Sequence, residues 1–166
     1  PRQSGGNNGD IKTYDLAVSK DGNNWQTVVT DGTFANDKEE KAIEIPKDKQ
    51  EFRYFKLTAK SAQNGQAFAG AAELRAWGPA GKSEWLDQEN WKCSASDYEA
   101  TGENNGNSGW PKHVCDNNLD TQWHSAYSGG VKPMPHWLQI DLGKIADVSA
   151  LKYTPRQDVY PANGIV

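Results

Sequence analysis

Hydrophobic and polar positions alternate with a period of two along most of this chain. In Tyr14-Asp15-Leu16-Ala17-Val18-Ser19 the large apolar residues take every second place, as in a strand with one buried face. Asp21-Gly22 supplies a turn and residues 25–29 a second strand, which together predict a hairpin. Ile43 and Ile45 mark a third strand. Residues 52–59 predict a long one, with Phe55 and Leu57 on one face and the other aromatics opposite. Residues 72–77 follow, and Gly78-Pro79-Ala80-Gly81-Lys82-Ser83 then reads as a linker. Trp85 and Trp91 open a second stretch, with a polar loop over residues 97–109. Residues 136–143 alternate and are expected to stop at Gly143, and residues 147–153 form a last strand. No helical stripe is sustained, although residues 84–91 have room for one turn. Many short strands separated by turn signals predict an all-β sandwich or jelly roll. Neither stretch has enough strands to close a core alone.

The two ends of the chain echo each other. Pro1-Arg2-Gln3 returns as Pro155-Arg156-Gln157, and Asn8-Gly9-Asp10-Ile11 is answered by Asn163-Gly164-Ile165. A repeat at this distance is the size of a domain, not of a solenoid unit. It predicts one full period of a tandem array, cut out of phase. Residues 1–78 would be the back half of one module, 79–84 a linker, and 85–166 the front half of the next. The chain lacks an initiating Met and a leader, as expected of a piece excised from a longer protein.

Composition narrows the function classes. The net charge of −4 gives no electrostatic case for nucleic acid or for an anionic membrane. No apolar run approaches the roughly 18–20 residues that span a bilayer. Cys93 and Cys115 are the only cysteines and lack zinc spacing. A disulfide of a secreted protein and two separate buried thiols both fit them.

Several segments carry a resemblance. They are Ser94-Ala95-Ser96, then Asp116-Asn117-Asn118-Leu119-Asp120-Thr121-Gln122-Trp123-His124-Ser125, then Trp137-Leu138-Gln139-Ile140-Asp141-Leu142-Gly143 and Leu151-Lys152-Tyr153-Thr154-Pro155-Arg156-Gln157. The first stretch adds residues 14–25, Arg53-Tyr54-Phe55-Lys56-Leu57 and Ala71-Ala72-Glu73-Leu74. Taken second stretch first, these resemble the discoidin domain, or coagulation factor five/eight type C domain, and within it the family 32 carbohydrate-binding modules. The order departs from the family, which starts near Trp85 and ends near Gly78. The resemblance therefore implies a discoidin-like jelly-roll sandwich that is circularly permuted or assembled from two half-modules. A domain-swapped dimer is the alternative assembly.

The family likeness also implies a structural calcium ion. Asp116, Asn118 and Asp120 take positions 1, 3 and 5 of a loop, but Thr121 and Tyr127 stand where an EF-hand needs Gly and Glu. The implied site instead draws on Asp116, Asn118 and Thr121, with a remote carboxylate from Glu73 and backbone carbonyls. The likeness further implies a sugar cup lined by Tyr98, Glu99, His124, Arg156, Asn163 and Phe68, with Arg2 and Asn8 as the duplicates of Arg156 and Asn163. Arg offers a fork of donors, Glu accepts hydroxyl protons, and an aromatic face suits the C–H side of a pyranose. Trp110, beside the Asn- and Gly-rich insert at 102–109, is a further platform.

The carboxylates are scattered and no Gly-x-Ser-x-Gly nucleophile is present, so the module itself is expected to be non-catalytic. The resemblance implies a secreted module that binds terminal galactose, N-acetylgalactosamine or N-acetylglucosamine. Its host would be a glycoside hydrolase such as a chitobiase- or hexosaminidase-like enzyme. A discoidin module for protein or lipid adhesion is the alternative.

Overall fold

Alternation along the strands becomes two antiparallel sheets around one core. A computed structural model describes residues 7–79, 84–103 and 108–157. The strands are β1 (Ile11–Ser19), β2 (Trp25–Thr33), β3 (Lys41–Glu44), β4 (Glu51–Ala62), β5 (Gly70–Ala71), β6 (Glu73–Trp77), β7 (Lys92–Ala95), β8 (Trp123–His124), β9 (His136–Asp147) and β10 (Ala150–Thr154). One sheet has the order β2-β1-β4-β9-β7 and the other β3-β10-β6, while β5 and β8 make a short ladder of their own. This is the all-β sandwich that the period of two implies.

Each main sheet mixes the two stretches of sequence. β9 pairs with β4 through Phe55↔Ile140 and Leu57↔Leu138. β10 lies between β3 and β6, through Leu151↔Ile43 and Leu151↔Ala76. Inward positions of both sheets meet in one apolar cluster that includes Leu16, Phe55, Leu57, Leu138, Ile140, Leu74 and Leu151. Tyr14, Phe34 and Tyr153 stack across it with ring centroids 4.1 and 4.9 Å apart, joining β1 to β10.

Three local expectations change. Strict alternation would put Phe52 opposite Phe55, yet both are buried and their rings meet edge to face at 6.4 Å. The pairing with β9 is irregular there, two steps on β4 from Phe52 to Tyr54 facing five on β9 from Ala146 to Asp141, and Phe52 turns inward at that register shift. Gly143 does not stop β9, because pairing with β4 resumes at Phe52↔Ala146 and Glu51↔Asp147. Residues 84–91 form no helix; Trp85 bridges to Trp77 and the Leu86 amide donates to the Ala76 carbonyl, extending the edge of β6.

Cys93 and Cys115 are joined as a disulfide. It ties β7 to a short 3-10 helix, Pro111–Cys115, which leads into the Asp116–Thr121 turn.

Candidate functional site

The β5–β8 ladder organises the chemistry, because Gly70 pairs with His124 and Ala71 with Trp123. On one side of it stands the turn that precedes β8, and on the other the loops around His124.

His124 is fully buried, and two aromatic side chains meet it. Its ring lies 5.6 Å from Phe68 and 5.2 Å from Tyr127, with Phe68 and Tyr127 6.3 Å apart. Nδ1 lies 2.7 Å from the Ser125 carbonyl, which can only accept, so Nδ1 carries the proton. Burial is the main influence on this imidazole and holds its pKa below the usual histidine value. The ring is then neutral and Nε2 presents a bare lone pair. That atom is buried without a partner among the described residues, close under Gly9. Gly9 has φ +81°, and a Cβ there would stand 3.4 Å from Nε2. Gly109 gives a second close approach, since a Cβ on it would come within 2.9 Å of the His124 amide nitrogen.

Arg156 extends from the end of β10 and lies 3.8 Å from Glu103. Glu103 is itself buried, accepting from the Tyr127 hydroxyl at 2.8 Å and from Gln122 Nε2 at 2.5 Å. The Pro155-Arg156-Gln157 copy thus follows β10 directly, and Gln157 donates to the Lys38 carbonyl at 3.0 Å.

Glu99, an expected sugar contact, is engaged within the protein. It is buried, and its carboxylate accepts from the backbone amides of Tyr127 (2.7 Å), Ser128 (2.9 Å) and Thr101 (3.2 Å), and from the Ser128 hydroxyl. Burial pushes this carboxyl upward, but those donors outweigh it and bring the pKa down to about 2. Glu99 is a clasp that holds Tyr127 against His124. Tyr98 beside it is exposed. Asn8 accepts from Asn64 Nδ2 at 3.2 Å. Arg2 and Asn163 lie outside the described residues. The sequence reading missed Tyr127 and Glu103; a tyrosine just after the His124-Ser125 pair and an acid beside Gly102 were the available signals.

The turn before β8 is built by its own side chains. Asp116 Oδ1 accepts from the Asn118 amide and Oδ2 from Thr121 Oγ1, while Asn118 Oδ1 accepts from the Asp120 amide. Glu73 opens β6 and is fully buried. Gln88 Nε2 donates to Glu73 Oε1 at 2.8 Å, but Glu73 Oε2 and Gln88 Oε1 have no partner among the described residues. Burial, aided by the Asp116 charge, raises the Glu73 carboxyl to about 7 against opposing effects of Gln88, Arg75 and the nearby Asn117 amide. Orphaned oxygens and two neighbouring carboxylates suit a hard, oxygen-seeking cation. No three His, Cys, Asp or Glu side chains converge among the described residues, so a cation here would also need hydroxyl and carbonyl oxygens.

Two hollows of about 270 Å³ lie elsewhere. One adjoins residues Lys20, Asp21 and Trp25, and the other residues Leu86, Trp91 and Leu142. Neither shares a lining residue with the His124 cluster. Among the described residues, no helix is long and apolar enough to cross a membrane.

The family model described as the F5/8 type C domain matches residues 1–74 and 86–165, nearly the whole chain. Domains of that family are generally non-catalytic binding modules for carbohydrate, protein or lipid, and are typically extracellular. With the antiparallel sandwich and that match together, the chain belongs to the F5/8 type C, or discoidin, family.

Proposed function

We propose that this domain binds a terminal sugar at the His124 cluster, galactose or N-acetylgalactosamine first and N-acetylglucosamine second. The observation that carries the reading is the Nε2 of buried His124, which has no partner among the described residues and is set against Phe68 and Tyr127 within reach of the Arg156 charge. A buried acceptor without a donor is costly. A sugar hydroxyl can donate to Nε2 and accept from the Arg156 guanidinium at once, while an aromatic face covers pyranose C–H groups. Gly9 lies over Nε2, so its segment has to yield as the hydroxyl enters. Exposed Tyr98 supplies a rim. Glu99 acts from behind by fixing Tyr127, and Asn163 and Arg2 retain the family's suggestion alone.

Calcium is proposed as a structural ion held by Asp116, Thr121 and Glu73, with Asn118 shaping the turn. Its charge would offset the paired carboxylates of Asp116 and Glu73. The β5–β8 ladder joins that turn to the cup, because Thr121 lies three residues before His124 and Glu73 two after Ala71. The permuted order, residues 1–78 followed by 85–166, is also proposed. It is supported by the pairing of β9 with β4 and of β10 with β3 and β6 within one chain. A swapped dimer would use the same pairs between chains. We further propose that the domain serves a secreted glycoside hydrolase as its non-catalytic accessory.

Calorimetric titration of methyl galactoside, N-acetylgalactosamine and N-acetylglucosamine into wild type and Arg156→Ala, with calcium present, tests the reading. Wild type should bind at least one of them and the folded variant none. Equal binding by both would remove Arg156 from the site.

A further inference from the structure

The cup contains one carboxylate beyond those its family likeness implies, and its position says which sugars the site turns away. Glu103 is buried at the foot of the residue 102–109 insert and touches three members of the cluster at once. Tyr127 and Gln122 each donate to one of its oxygens, and the Arg156 guanidinium lies 3.8 Å from Oε2. A planar guanidinium is otherwise a strong receptor for a ligand carboxylate. Here that attraction is already answered from within the protein. The charged groups described around the His124 ring are Glu103, Arg156 and Glu99, two carboxylates against one guanidinium. The imidazole adds no charge, because its burial disfavours the protonated ring.

We propose that Glu103 is a specificity-determining residue: by answering the charge of Arg156 it makes the cup accept neutral terminal sugars and reject those bearing a carboxylate. This rests on the sugar-binding reading above. Rejection works by like-charge repulsion at close range and by loss of the partner a carboxylate would seek. The Arg156 guanidinium stays within ion-pair distance of the Glu103 carboxylate, so its charge is answered before a ligand arrives.

The test compares methyl galactoside with methyl galacturonoside, which keep the same axial hydroxyl and differ in the C6 carboxylate, together with the matching gluco pair. Affinities are measured for wild type and Glu103→Gln. Wild type should bind a neutral sugar and disfavour its uronate by about tenfold or more. Glu103→Gln, which preserves size and can still pair with Tyr127 and Gln122, should move the ratio toward the uronate by about tenfold. An unchanged ratio in a variant with wild-type thermal unfolding would overturn the proposal. The wild-type ratio needs no variant, and a preference for the uronate would overturn it as well. If wild type binds neither member of either pair but does bind N-acetylgalactosamine or N-acetylglucosamine, the inference falls alone; if it binds none of these sugars, the sugar reading falls with it.

Discussion

Replacing Glu99 with Gln separates a clasp from a ligand contact. The Glu99 carboxylate is buried and receives three backbone amides and one hydroxyl. Its pKa falls from an ordinary 4.5 to about 2. At ~1.4 kcal/mol per tenfold change in the proton equilibrium, that drop corresponds to ~3 kcal/mol favouring the folded state near neutral pH. Gln keeps one acceptor oxygen but turns an N–H₂ toward the Ser128 and Tyr127 amides, so a loss of ~2–3 kcal/mol is expected. For a domain of this size the unfolding midpoint should drop by about 5–10 °C. Because the folded pKa is depressed, the stabilisation is complete above the unfolded value of 4.5 and is lost as pH falls from there to about 2. Thermal or denaturant unfolding of wild type and Glu99→Gln across that range should show a gap that is full near neutrality and closes in acid. A gap below ~0.5 kcal/mol near neutrality would refute the clasp. So would one that stays constant into acid.

Other perturbations probe the rest of the site. Calcium should raise the wild-type unfolding midpoint in a concentration-dependent way that Glu73→Gln abolishes, read by thermal shift with calcium and with chelator. The paired substitution of Cys93 and Cys115 by Ser should cost ~3 kcal/mol from the loop they close, and peptide mapping without reductant should recover the linked pair from wild type. Gly109→Ala should destabilise by ~1–3 kcal/mol and weaken sugar binding, because its Cβ would press on the His124 amide; unaltered unfolding and affinity would show that the backbone gives way freely.

The strands were legible because burial on one face leaves a period of two, seen in β9 as alternating buried and half-buried residues from His136 to Leu142. What departed from that period was hidden. The inward turn of Phe52 goes with a register shift against β9, a partner far away in sequence. Gly143 has the composition of a stop, yet its positive φ lies inside a strand that runs on. At the proposed site, residue type and motif order point to His124, Phe68 and Arg156, and the fold sets Phe68 against the His124 ring. The surroundings of Glu99 are not legible, because sequence shows an acid in a loop and not the three amides that converge on it. Glu103 and Tyr127 were missed for the converse reason, since neither stands in a motif and only the folded loops bring them together.

The most direct measurement is a glycan array probed with the purified wild-type domain in calcium, spanning terminal galactosides, N-acetylgalactosaminides, N-acetylglucosaminides and their uronate counterparts. The account predicts a coherent signal from one class of neutral terminal sugar, lost on Arg156→Ala. Silence across the array from a folded, calcium-loaded domain would contradict it and leave the discoidin sandwich as a module for protein or lipid contacts.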